Sequence, residues 1–104
     1  MSTKKRSDAL KFLEKAAGKK LSLGSFIEAI RLGEDKTLNE FAKKLKLSRS
    51  HLCDIEKGRK SVSAARAAQF AKALGYSESQ FVRLALQDEV ERAGLHMTIK
   101  VEVA

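Results

Sequence analysis

Between residues 9 and 90 apolar side chains return at intervals of three and four, run after run, and each run closes on a helix-ending signal. Ala9, Phe12, Leu13 and Ala16 form the first stripe, closed by Gly18. Leu23, Phe26, Ile27 and Ile30 form the second, with Ser22 placed to cap it. Leu38, Phe41, Ala42 and Leu45 form the third; Thr37 and Glu40 have the spacing of a capping box at its start. Ser48 opens a short fourth helix with Leu52 and Ile55 inward, ended by Gly58. Ala67, Phe70, Ala71 and Leu74 mark a fifth, starting after Ser63 and stopped by Gly75. Ser77 and Gln80 make a second capping box before Val82, Ala85, Leu86 and Val90, and Gly94 ends that helix. Amphipathic helices this short hide their stripes only against one another. The expected class is therefore all-α, and the absence of Pro and Trp with 6% aromatic residues suits it.

After Gly94 the period changes. Leu95, Met97, Ile99, Val101 and Val103 alternate with His96, Thr98, Lys100 and Glu102, the pattern of a half-buried strand. No second strand of that quality exists in the chain, and a lone strand leaves its edges unpaired. Pairing with a twin across a two-fold axis, or with another protein, is the expectation; a tail that merely alternates is the alternative.

Charge narrows the function. Among 104 residues the formal net charge is +8, which draws the chain to polyanions. It is unevenly spread: residues 43–60 carry seven basic and two acidic side chains, whereas residues 76–104 carry three and five. One face is expected to meet nucleic acid and the opposite end protein. The single cysteine, Cys53, permits no internal disulfide, and a reducing cytoplasm is the expected home. No apolar run spans a bilayer, and the basic first twenty residues lack the apolar stretch of a secretory signal. They read as a helix over residues 7–17 plus a linker, either a solvated face or a partner or DNA contact.

No phosphate-cradling loop, paired carboxylates or nucleophile–base set is present, so neither catalysis nor a cofactor is expected. His51 and Cys53 fall on different helix faces, and His96 is remote, so no metal site is expected. Phe41, Phe70 and Phe81 read as core rather than as base-stacking platforms.

The segment TLNEFAKKLKLSRSHLCDIEKGRK carries the most information. Two short helices are joined by a turn of about four residues, with small Ala42 where they cross and polar Arg49, Ser50 and His51 at the exposed start of the second. The ordered set Thr37, Glu40, Phe41, Ala42, Leu45, Ser48, Leu52, Ile55, Glu56, Lys57, Gly58, Ala71, Leu74 and Gly75 resembles the Cro/C1-type (XRE) helix-turn-helix family of phage repressors and bacterial regulators. The resemblance covers residues 22–76, just over half the chain, and implies a lambda-repressor-like helical bundle. Residues 1–21 then form a basic N-terminal helix and linker, and residues 77–104 a C-terminal helix and strand for dimerisation or partner binding.

By position, the resemblance implies that Arg49, Ser50 and Asp54 face base edges, with Arg49 the principal reader of guanine. Asp54 is open to three readings: accepting from cytosine, orienting Arg49, or repelling wrong sites. Ser48 caps the recognition helix, and Asn39, Lys43, His51, Lys57, Arg59 and Lys60 stand with it as contacts to the DNA backbone. Arg31 and Glu56 match a structural ion pair of the family. Three positions depart from its pattern. Leu38 replaces a common Gln, so that polar contact falls to Asn39 or is lost. Lys46 replaces a turn Gly, at about 1 kcal/mol of strain if the turn is left-handed. Ser63 replaces a common Pro and still caps.

The two flanking elements and the short length are similar to the small antitoxin members of this family, bacterial or phage-encoded. The expected function is a sequence-specific repressor that autoregulates its operon, binds a palindromic operator as a homodimer and neutralises a toxin protein. Alternatives are a stand-alone phage- or plasmid-type repressor and an interaction module that no longer binds DNA. The expected dimer interface uses Val82, Leu86, Val90, Ile99 and Val101.

Overall fold

A computed structural model describes residues 21–104. The helix expected over residues 7–17 lies outside them. Five α-helices run through the described residues: α1 (Leu23–Gly33), α2 (Leu38–Lys44), α3 (Arg49–Glu56), α4 (Ala64–Leu74) and α5 (Glu78–Arg92). Every start is a serine or threonine in extended conformation whose hydroxyl accepts from a backbone N–H three residues on: Ser22, Thr37, Ser48, Ser63 and Ser77. At Thr37 the box is reciprocal, since Thr37 N–H also donates to Glu40 Oε1 at 2.9 Å. That bond holds the Glu40 carboxyl below its ordinary range. At Ser77 the described contacts contain the forward half only, Gln80 N–H to Ser77 Oγ at 3.3 Å.

The five ends also share one device. In each, a residue with φ near +55° to +78° follows the helix: Asp35, Lys46, Gly58, Gly75 or Gly94. The next N–H reaches back five residues, as from Leu47 to Ala42 at 2.8 Å and from Arg59 to Asp54 at 2.8 Å. Lys46, at φ 60°, makes this turn with a side chain that disfavours it.

The stripes meet as one core. Phe26, Ile27, Phe41, Leu52, Leu84 and Phe81 are all but completely buried. Phe26 packs edge-on to both Phe81 and Tyr76, at 5.7 and 5.9 Å between ring centroids. Leu38 packs against the core edge, the use this chain makes of a position where a polar residue was the alternative. α1 rests on α3 and α5, α2 on α3, and α4 on α5. The approach of α1 to α3 is close: a side chain at Gly24 would run into the Ile55 carbonyl.

Two expectations require correction. In α5 the inward stripe is Phe81, Leu84 and Ala85, while Val82, Leu86 and Val90 lie half-buried on the adjacent face. The core therefore runs from α1 into α5, past residue 76. The second correction is the tail: no strand occurs among the described residues, and residues 95–104 have no regular structure. A strand requires a ladder partner, and the described chain offers none. Instead the buried Gln87 side chain takes two backbone groups of the tail, donating to Met97 O and accepting from Ile99 N–H, each at 2.8 Å. Leu95, Met97 and Val103 remain exposed, and Ile99 and Val101 are half-buried.

Candidate nucleic-acid interface

Helices α2 and α3 and the turn between them form one rigid corner. Ala42, almost fully buried, keeps its side of the crossing small, and its carbonyl accepts from Leu47 N–H. Leu52, Ile55 and Glu56 face inward from α3, and the face that carries Arg49 and Ser50 points outward. Arg49 and Ser50 are exposed at the first turn; His51, Cys53 and Asp54 are half-buried. Ser48 Oγ accepts from His51 N–H at 3.1 Å, leaving the other first-turn N–H groups facing outward with the positive end of the helix.

The orientation of α3 is fixed from behind. Arg31 of α1 forms a two-bond fork with Glu56, Nε to Oε2 at 2.8 Å and Nη2 to Oε1 at 3.0 Å. Its remaining Nη1 donates to Lys36 O at 2.9 Å. The Glu56 side chain is 1% exposed, so this carboxylate is satisfied almost wholly by one arginine. The hydrogen bonds to Glu56 raise the Arg31 pKa further.

The cations expected at the DNA backbone lie around this corner. Lys43, Lys57, Arg59 and Lys60 are exposed, with Asn39 and Ser48. Lys57 Nζ also meets Glu28 Oε2 at 3.3 Å, an exposed pair that a phosphate can outcompete. Arg59 does not hang free: its Nε donates to Asp54 Oδ1 at 2.8 Å, which raises its pKa. Asp54, placed among the base readers beside Arg49, is thus paired with Arg59.

Three contacts at the rear of the site carried no local sequence signal. Asp88 of α5 accepts from Leu23 N–H at 3.0 Å, capping α1 from 65 positions away. Burial raises the Asp88 pKa above its ordinary value, partly countered by that bond. Arg92 donates to Gly58 O at 3.3 Å, tying α5 to the loop that leaves α3. Gln87, which with Glu56 is one of two buried polar residues among the described residues, holds the tail. Among the described residues no group of three or more His, Cys, Asp or Glu is placed to hold a metal, and no helix is long and apolar enough to cross a membrane.

A short outward-facing helix, braced through Glu56 and flanked by cations, is the second helix of a helix-turn-helix corner. Residues 27–81 match the helix-turn-helix family, and the chain belongs to that family in its Cro/C1-type (XRE) form, whose members are DNA-binding transcriptional regulators. Comparison with curated proteins and with solved structures returned no match.

Proposed function

We propose that the chain is a sequence-specific repressor that binds a palindromic operator as a homodimer. The observation that carries this reading is the division of the surface. Arg49, Ser50 and the cations around α3 occupy one face, while the half-buried apolar row Val82, Leu86 and Val90 lies on α5 with Ile99 and Val101 in the tail beyond it. A seam along that row gives a dimer with two recognition helices, and successive major grooves on one side of DNA require them about 34 Å apart. Arg49 reads guanine, and Ser48, Asn39, His51, Lys43, Lys57 and Lys60 hold phosphates.

Within that reading the chain acts as the antitoxin of a toxin–antitoxin module, repressing its own operon. Support comes from the tail: Leu95, Met97 and Val103 are exposed apolar side chains beyond the DNA-binding corner, suited to a second protein.

The test is binding to the DNA upstream of the chain's own gene, against a scrambled duplex, across a salt series. Tight binding to the first alone is expected, and Arg49→Ala is expected to cost about 1–3 kcal/mol and relax one base position. Equal, weak binding to both duplexes overturns the repressor. Failure of the adjacent gene's product to bind the purified chain overturns the antitoxin role alone.

A further inference from the structure

The position of Arg59 is at odds with a simple phosphate clamp. It follows Gly58 in the loop leaving α3, where a clamp would point away from the helix. Instead its side chain returns to Asp54, Nε donating to Oδ1 at 2.8 Å; the bond from Arg59 N–H to Asp54 O, also 2.8 Å, is the helix-end bond that all five helices share. One terminal nitrogen, Nη2, lies 3.7 Å from Cys53 Sγ. The guanidinium is therefore laid over Cys53 and Asp54. Those residues stand three and four positions after Ser50, on the face that α3 presents outward.

Chemistry favours a reader in that place. An arginine recognises guanine with two N–H groups of its planar fork, directed at O6 and N7. With Nε engaged by the carboxylate, the Nη1–Nη2 edge remains for a base. The carboxylate also biases the plane of the fork before DNA arrives, within an exposed pair in which the Arg59 side chain is 60% accessible. A phosphate can use the same two-pronged edge, so the two readings are separated by whether loss of Arg59 falls on one base pair or on every duplex alike.

We propose that Arg59 is a second base-reading arginine, selecting a guanine in the major groove, and that Asp54 is its positioning residue rather than a reader itself. The inference rests on the DNA-binding reading above. It replaces the expected base contact by Asp54 with an indirect one, and it divides the reading between the first turn of α3, at Arg49, and the loop that leaves α3, at Arg59.

The test starts from the duplex that the full chain enriches from a randomised pool, followed by every single base-pair substitution of it. Arg59→Lys keeps the charge and loses the fork. It is expected to erase a preference of about five- to a hundredfold at one G·C pair, leaving the other positions and the salt dependence unchanged. Asp54→Asn, once thermal unfolding has checked that it folds, is expected to relax the same pair more weakly. A purely structural ion pair would not move one base position and spare the rest. Arg59→Ala weakening all duplexes equally, with the salt slope lowered by about one, overturns the inference and makes Arg59 a phosphate contact. Relaxation of different pairs by the Arg59 and Asp54 variants overturns the positioning role. If the unsubstituted chain enriches no sequence, the repressor reading falls as well; a uniform loss on Arg59→Ala removes this inference alone.

Discussion

Gln87 and Ile99 are joined as residues on adjacent strands are joined, except that one partner is a side chain. The Gln87 amide oxygen accepts from Ile99 N–H, and its NH2 group donates to Met97 O and to Glu91 Oε2. One buried amide thus gives the tail the two bonds that a neighbouring strand would otherwise give it.

Removing that amide is expected to release the tail. Gln87→Leu keeps an apolar volume but leaves Met97 O and Ile99 N–H without it, at about 1–3 kcal/mol if they stay shielded from water. Hydrogen exchange should accelerate at Ile99 while the α1–α4 core keeps its protection. Unchanged protection at Ile99 would show that the tail is held by something else.

The Arg31–Glu56 fork makes an asymmetric prediction. Arg31→Ala strands a carboxylate that is 1% exposed, and loss of one partner of a buried pair costs about 3–5 kcal/mol. Replacing both partners together, Arg31→Met with Glu56→Leu, is expected to cost much less, because no charge is then left buried. Urea unfolding of the single and double variants decides it, and equal losses would refute the account.

Gly24 allows no side chain. A Cβ there meets the Ile55 carbonyl, which is helix backbone and cannot turn aside. Gly24→Ala is therefore expected to destabilise by about 1–3 kcal/mol, although alanine is the better helix former. A higher melting temperature for the variant would mean that α1 and α3 separate without penalty.

Asp88 sets a pH dependence of definite sign. Its pKa is raised above 3.8, mainly by burial, against the pull of Leu23 N–H and Arg92 and with a push from Glu91. The folded chain thus binds this proton more readily than the unfolded one. Its contribution to stability is full below 3.8 and declines as pH rises through the raised folded value. Asp88→Asn keeps an acceptor for Leu23 N–H without a buried charge. Thermal unfolding of the variant at neutral pH is expected to match or exceed that of the parent, with a flatter response to acid in that window. A lower stability at neutral pH would show that the charge is worth more than its burial costs.

Much of this was legible in the chain because caps and stripes are local. Ser22, Thr37, Ser48, Ser63 and Ser77 each carry their own signal, and all five are helix starts. Asp35 does not read as a helix end, since aspartate takes the left-handed turn less often than the glycines that mark three of the other ends. The register of α5 was legible only in part: Phe81 and Ala85 read as core and are buried, but a second apolar row, Val82, Leu86 and Val90, lies beside them and reads as the inward stripe. The tail misled because alternation specifies a strand only when a partner supplies the ladder. At the site, α3 could be placed from the spacing alone, but the pairing of Asp54 with Arg59 depends on how the chain folds back after Gly58. The bond from Asp88 to Leu23 belongs to the assembled fold, not to any segment.

The bond from Arg92 to the Gly58 carbonyl has a geometric consequence. It ties the exit of α3 to the far end of α5, a tether that links the positions of these two parts. In a dimer seamed along α5 the pair of recognition helices then behaves like the jaws of a fixed caliper. In the proposed dimer the gap between them is set at the seam, so operators whose half-sites are spaced wider or narrower than that gap are expected to bind more weakly.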